Sequence, residues 1–230
     1  MKKAIIFSST IALTALLVAG ATDVRAEEAE TGEETTKNFK TDATFEFTTE
    51  DPTNTDPNDD VDKDKPVRPQ TGQKGLLVID AVSHFNFKSA KIAGGETKTT
   101  AEIPTGQTLG IQVTDKRGTG AGWNVQATID EFKDAEDETK ILKGAVVKVP
   151  AGTFKTTQNG DTLNPPQAAN GEGTIIGKSA TKLLFADADK GKGSWLNDWA
   201  DKVELTIPGG NLLGNYKATV TWMISDTPAG

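Results

Sequence analysis

Cysteine is absent from all 230 residues. Its absence excludes disulfides, thiolate metal sites, a Cys nucleophile and a lipidated N-terminal Cys. A single His leaves little room for His-rich metal sites or imidazole-based acid–base pairs. Positive charge is also short. The 25 Lys and Arg face 33 Asp and Glu, for a formal net charge of -8, the wrong balance for general nucleic-acid affinity. Beyond the N-terminal region no segment approaches the ~20 consecutive apolar residues of a membrane span, so no transmembrane helix is expected in the mature protein. The length fits one domain plus appendages.

The N-terminus carries a targeting pattern. Lys2 and Lys3 precede an apolar stretch from Ala4 to Gly20, and Val24-Arg25-Ala26 places small or modest side chains at the -3 and -1 positions of a cleavage site. Residues 1–26 therefore read as a secretory signal peptide with Glu27 as the mature N-terminus. Cleavage after Ala21 is the second choice. An uncleaved anchor fits less well, because the apolar stretch is short and contains Ser and Thr. Secretion without disulfides points to a Gram-positive exterior. Arg68-Pro69-Gln70-Thr71-Gly72 and Ile103-Pro104-Thr105-Gly106 faintly resemble sortase signals, but neither is followed by a hydrophobic tail and a basic end. Both are expected to be turns, and retention on a cell is expected to be non-covalent.

Charge is unevenly distributed. Residues 27–72 hold fourteen acidic and five basic side chains, whereas 73–230 are nearly balanced. Residues 27–41 have too little apolar surface to offset the entropy of ordering, and disorder is expected there. Residues 42–73 read as a short strand plus a connector. In Ala43–Thr49, Phe45 and Phe47 alternate with Thr and Glu, a strand signal. Asp51–Pro69 is rich in Asp and Pro and reads as a stiff, solvated spacer. Solvated charge is the plainer reading of its Asp cluster, with calcium binding the sharper one.

Residues 74–228 read as the core domain. Period-2 alternation recurs at Leu76–Asp80, Leu109–Val113, Trp123–Ile129, Ala145–Val149, Leu183–Phe185, Val203–Ile207 and Tyr216–Ser225. Such alternation marks sheets with one face buried and one wet. Gly94-Gly95, Pro165-Pro166 and Gly209-Gly210 punctuate the runs. The pattern predicts an all-β fold, an antiparallel β-sandwich or Greek-key-like barrel with long loops. Ile129–Leu142 reads as a charged loop.

Nothing in this set assembles a catalytic centre, and the chain is not expected to be an enzyme. His84 alternates with Phe in Val82–Phe87 and reads as a solvent-facing strand residue. No Ser lies in a G-x-S-x-G elbow. Gly191-Lys192-Gly193-Ser194 lacks the spacing of a phosphate-binding loop. No cofactor is expected. The best metal candidate is Asp187 and Asp189, with Asp198 further on; alternating Asp begins a calcium loop, but Lys192 stands where a Gly is needed. A turn between strands is the plainer reading. Trp195 and Trp199 lie in the Gly-rich, polar stretch Gly191–Ala200, which reads as a loop, so both are expected to be exposed aromatic contacts for a sugar face. Trp123 and Trp222 lie on apolar strand faces and are expected in the core.

The chain resembles the WxL-domain proteins of low-GC Gram-positive bacteria. Gly122-Trp123-Asn124-Val125-Gln126-Ala127 is similar to that family's first motif, with Val125 where Leu is usual. Tyr216 to Pro228 is similar to the second, carried by Tyr216, Thr221 and Trp222, with Val220 and Ile224 replacing Leu. The Ala43–Phe47 stretch, the Asp-Pro connector, the Phe85-x-Phe87 pair and the Gly-x-Gly-x-Trp195 stretch follow in the family's order. The resemblance implies a secreted protein of the cell-wall surface that binds peptidoglycan through this domain. It also implies partners: a membrane-anchored WxL-interacting protein, larger WxL proteins and, for some complexes, host extracellular matrix. Trp123, Val125, Tyr216, Thr221, Trp222 and Ile224 are then either the wall-binding surface or core; strand periodicity favours core, and apolar replacements of similar volume suit one.

Overall fold

The computed structural model describes residues 43–48, 58–92 and 94–227. The expected signal peptide, the acidic segment 27–41 and the first half of the connector lie outside the described residues. Among the described residues fourteen strands run in chain order and there is no helix. One sheet has the order β1 (Leu77–Val82), β3 (Gly110–Asp115), β11 (Gly193–Asp198), β7 (Thr153–Thr156). A second has β14 (Val220–Ser225), β4 (Trp123–Ile129), β10 (Thr181–Ala186), β8 (Gln167–Ala168). A third has β2 (Thr97–Thr100), β12 (Glu204–Ile207), β6 (Val146–Val149), β9 (Thr174–Ile176). A two-stranded ribbon joins β13 (Tyr216–Lys217) to β5 (Lys133–Asp134). All pairings are antiparallel and no sheet closes on itself, so the sandwich alternative holds.

The three larger sheets share one hydrophobic core, to which Ile111 and Val113, Trp123 and Val125, and Val147 and Leu205 all belong. Strand β4 shows how alternation builds it. Trp123, Val125, Ala127 and Ile129 point inward and are buried, as the period of 2 requires. A bulge in β10 between Lys182 and Leu184 lets Leu183 and Leu184 both bury, at 3% exposure each; the extra residue breaks the alternation that would send one of them to solvent.

Strand β3 is buried along its whole length, because the second half of the connector covers its other face. The amide of Val61 donates to Gln112 Oε1 (2.9 Å), and Gln112 Nε2 donates to the Asp59 carbonyl (3.0 Å). Val67 packs against Ala81 and Leu196 in a second, smaller core. Asp80, at a bulge in β1, accepts from Asn58 Nδ2 (2.7 Å), Thr114 Oγ1 (2.7 Å) and Gln112 Nε2 (3.2 Å). Burial lifts its carboxyl above the usual range, and these donors pull the other way. Residues 58–69 are thus a docked strap and not the solvated spacer the composition suggested. The strand expected at 43–49 also differs. Residues 43–48 form no strand, and Phe45 and Phe47 are exposed.

The largest departure is Gly191–Ala200. It is not a loop: it supplies β11, an inner strand between β3 and β7. Trp195 and Trp199, expected to be exposed, are 4% and 1% exposed. Trp195 lies opposite Val113 and donates its indole N–H to the Lys192 carbonyl (2.9 Å). The Trp199 indole donates to Asn197 Oδ1, while Asn197 Nδ2 donates to the Ala151 carbonyl (2.9 Å). Polar side chains that signal a loop are here satisfied inside a sheet.

The β5–β13 ribbon hangs on Asp134. Its carboxylate accepts the backbone N–H of Glu136 (3.0 Å), Asp137 (3.1 Å) and Asn215 (3.0 Å). These bonds, led by the one from Glu136, with Lys140 nearby, hold its pKa below the ordinary value.

Two outcomes follow from this packing. Trp195→Ala and Trp199→Ala should each destabilise the domain by about 3–5 kcal/mol in urea unfolding, where exposed loop residues would change it little. Asp134 ionises more readily folded than unfolded, so its contribution is present above the ordinary Asp pKa of about 4 and fades as pH falls through the lowered folded value. Asp134→Asn should therefore melt below the wild type at pH 7, and the gap should close in acid; a gap constant from pH 7 to pH 2 would contradict this.

Candidate functional site

The two sequence motifs meet on adjacent strands. β14 pairs with β4 so that Val220 faces Ile129, Trp222 faces Ala127 and Ile224 faces Val125. Directly opposed residues share a sheet face, so Trp123, Val125, Trp222 and Ile224 all point to the core side. Thr221 and Met223 point outward and are exposed.

Trp123 is enclosed. Its indole N–H donates to the Gly191 carbonyl (3.1 Å). A Cβ on Gly191 would sit 2.5 Å from the Ala186 methyl and 2.9 Å from the Trp123 indole nitrogen, and one on Gly122 would sit 2.4 Å from the Ala186 carbonyl oxygen. Both glycines also have positive φ, 65° and 77°. The first motif is a packing unit in which Gly122 lets Trp123 enter the core. Trp123 and Val125 are core residues, as periodicity predicted.

The second motif divides. The run from Tyr216 to Ser225 is not one strand. It breaks at Ala218-Thr219, where the Thr219 carbonyl accepts from the Asp130 amide (3.0 Å). Tyr216 stays with β5, its hydroxyl donating to the Leu212 carbonyl (3.0 Å). Trp222 is half-buried. One face stacks on Trp199, with ring centroids 5.8 Å apart and planes 17° apart, and Phe85 meets both indoles edge-on at 6.1 and 5.7 Å. Phe87 continues the series from Phe85 (6.2 Å) to Phe132 (6.4 Å).

Above this aromatic series lies an open groove of about 940 Å³. One wall is the segment 82–92 after β1, and the other is 207–219 between β12 and β14. Trp222, Phe85, Phe87 and Phe132 all line it. The second wall is pinned at both ends. Asn211 receives the Lys143 amide (2.7 Å) and donates to the Pro208 carbonyl (2.9 Å), and Asp134 holds Asn215. Between these pins Leu212 and Leu213 project at 64% and 80% exposure, with Ile92 at 57% on the opposite wall. His84, Lys88, Lys91 and Lys217 are exposed within the lining, which among the described residues contains no Asp and no Glu.

Of the residues singled out by sequence, Trp222 and Tyr216 reach this groove. Trp123, Val125, Ile224, Trp195, Trp199 and Thr221 do not line it, although Trp199 supports its floor. Sequence reasoning missed Ile92, Phe132, Leu212 and Leu213; the only available signal was an apolar Leu pair between Gly210 and Gly214.

The calcium candidates are not brought together. Asp187 pairs with Lys190 (3.2 Å) and Asp189 with Lys192 (3.5 Å). Asp198 stands at the far end of β11, roughly 16 Å along the strand from Gly193, and pairs with Lys155 (2.8 Å). Among the described residues no three His, Cys, Asp or Glu cluster as metal ligands.

No curated protein and no solved structure matches the chain. The WxL domain family, described as surface cell wall-binding, matches residues 30–228. That range covers β1 through β14 and includes both Trp motifs and the strap. The chain belongs to the WxL domain family of surface cell wall-binding domains.

Proposed function

We propose that this is a secreted, non-catalytic module, held non-covalently at the Gram-positive cell-wall surface, that binds peptidoglycan directly through the groove over Trp222. One observation carries the reading. The second motif puts Trp222 on the floor of an open groove whose walls expose Ile92, Leu212 and Leu213. Aromatic faces suit the C–H faces of pyranose rings, and a concave apolar floor with polar rims suits a glycan strand carrying peptide stems. Family membership supports wall binding, and a family defined by binding supports a role without turnover. The 207–219 wall is fixed by Asp134 and Asn211, so little ordering entropy of that wall opposes binding.

The mature chain from Glu27 should co-sediment with washed, insoluble peptidoglycan. Leu213→Asp and Ile92→Asp, both on exposed side chains, should reduce the bound fraction about tenfold or more while the melting curve stays put. A mature chain that remains in the supernatant would overturn direct attachment. Attachment would then run through a membrane-anchored WxL-interacting protein, a larger WxL protein or a host matrix component. Release of soluble fragments from the wall would overturn the non-catalytic assignment.

A further inference from the structure

Both walls of the groove carry charge of one sign. The chain has 33 Asp and Glu against 25 Lys and Arg. Among the described residues, however, the lining holds no acid and three exposed Lys: Lys88 and Lys91 on the 82–92 wall and Lys217 on the 207–219 wall. None of the three forms an ion pair among the described residues, whereas Lys98, Lys155 and Lys178 elsewhere do. A concave site lined by one sign of charge concentrates ligands of the other sign.

Two of these cations stand on fixed backbone. The Lys88 amide donates to the Thr100 carbonyl (3.2 Å), and the Lys88 carbonyl accepts from Thr99 Oγ1 (2.8 Å). Lys217 lies in β13 directly opposite Lys133 of β5. Opposed residues of an antiparallel pair project to one face, and like charges there repel. Three acids of the same segment are engaged elsewhere. Glu131 pairs with Lys178 (3.0 Å), Asp134 accepts three amides, and Asp137 lies against Lys140 (3.9 Å). The ribbon thus holds two Lys side by side at a cost in stability, which a bound anion offsets.

The position of charge in peptidoglycan then names the part of the ligand that is read. Its N-acetylated sugars are uncharged, and its charge resides in the peptide stems as free carboxylates and free amines. A cationic rim selects the carboxylates. Resting on the wall-binding reading above, we propose that the groove recognises peptidoglycan by the free carboxylates of its stems. The sugars lie over Trp222, Phe85 and Phe87. The stem carboxylates meet Lys88 and Lys91 on one side and Lys217, with Lys133 beside it, on the other. A wall whose stem carboxylates are amidated is then a poorer ligand for the same groove.

The test is co-sedimentation of the mature chain with one peptidoglycan preparation, stripped of phosphate-bearing polymers and divided in two. One half is left untreated. In the other the carboxylates are converted to amides with carbodiimide and excess ammonia. The dissociation constant should be about fivefold or more weaker on the amidated half, the sum of several exposed ion pairs. Raising NaCl from ~0.05 to ~0.5 M should weaken binding to the untreated half and leave the amidated half nearly unchanged. Lys88→Gln/Lys217→Gln, on exposed side chains, should melt like the wild type and bind both halves as the wild type binds the amidated one. Lys65→Gln/Lys74→Gln makes the same change of net charge outside the lining and should keep the preference. Equal binding to both halves would overturn the carboxylate assignment and leave wall attachment standing. So would loss of the preference in Lys65→Gln/Lys74→Gln, which would make it an effect of net charge. Binding only to wall that retains its phosphate-bearing polymers would overturn it in favour of phosphate. Absence of binding to any of these walls would overturn direct attachment itself.

Discussion

The stack of Trp222 on Trp199 connects the core to the groove. Trp199 follows β11, its amide donating to the Leu109 carbonyl (2.9 Å), and is buried beside the first sheet. Trp222 comes from β14, the edge of the second. Phe85, edge-on to both, comes from the chain leaving β1. Three elements distant in sequence thus converge on one aromatic contact. Its buried half belongs to the hydrophobic core and its other half is the floor of the groove. Edge-to-face and offset aromatic contacts are directional, so the stack fixes how the groove floor is presented as well as adding apolar burial.

The two Trp motifs divide the work. Trp123, admitted by Gly122 and bonded to the Gly191 carbonyl, is a structural element. Trp222 is both structural and accessible. The 207–219 wall above it is held by polar side chains that satisfy loop backbone groups: Asp134 takes three amides and Asn211 bridges Lys143 and Pro208. Such anchoring lets Leu212 and Leu213 remain exposed on a fixed wall, where unanchored loop residues would be mobile.

Much of the sheet structure was legible in the sequence, for a physical reason that also explains the failures. β4 alternates cleanly because one face is buried and the other meets a polar layer, so its register could be read from period alone. β11 has Ser194, Asn197 and Asp198 at strand positions beside Gly191 and Gly193, and local composition cannot show that Thr114, Ala151 and Lys155 satisfy those polar groups. The burial of Trp195 and Trp199 was lost with it. The strap at 58–69 failed similarly, since its Asp and Pro residues resemble a linker until Gln112 and Asp80 accept its bonds. The groove was not legible at all. It is made by residues 82–92 and 207–219, segments more than a hundred residues apart, and no local pattern reports that they face each other.

If the groove over the stack is the binding face, the four indole N–H groups report it separately. Those of Trp123, Trp195 and Trp199 are bonded inside the protein, to Gly191, Lys192 and Asn197. A two-dimensional ¹⁵N NMR titration of the mature protein with soluble peptidoglycan fragments would follow all four at once. The account predicts that the Trp222 indole signal moves most, that Trp199 follows through the stack, and that Trp123 and Trp195 stay in place. Movement of Trp123 or Trp195 with Trp222 unchanged would contradict it and place the ligand elsewhere.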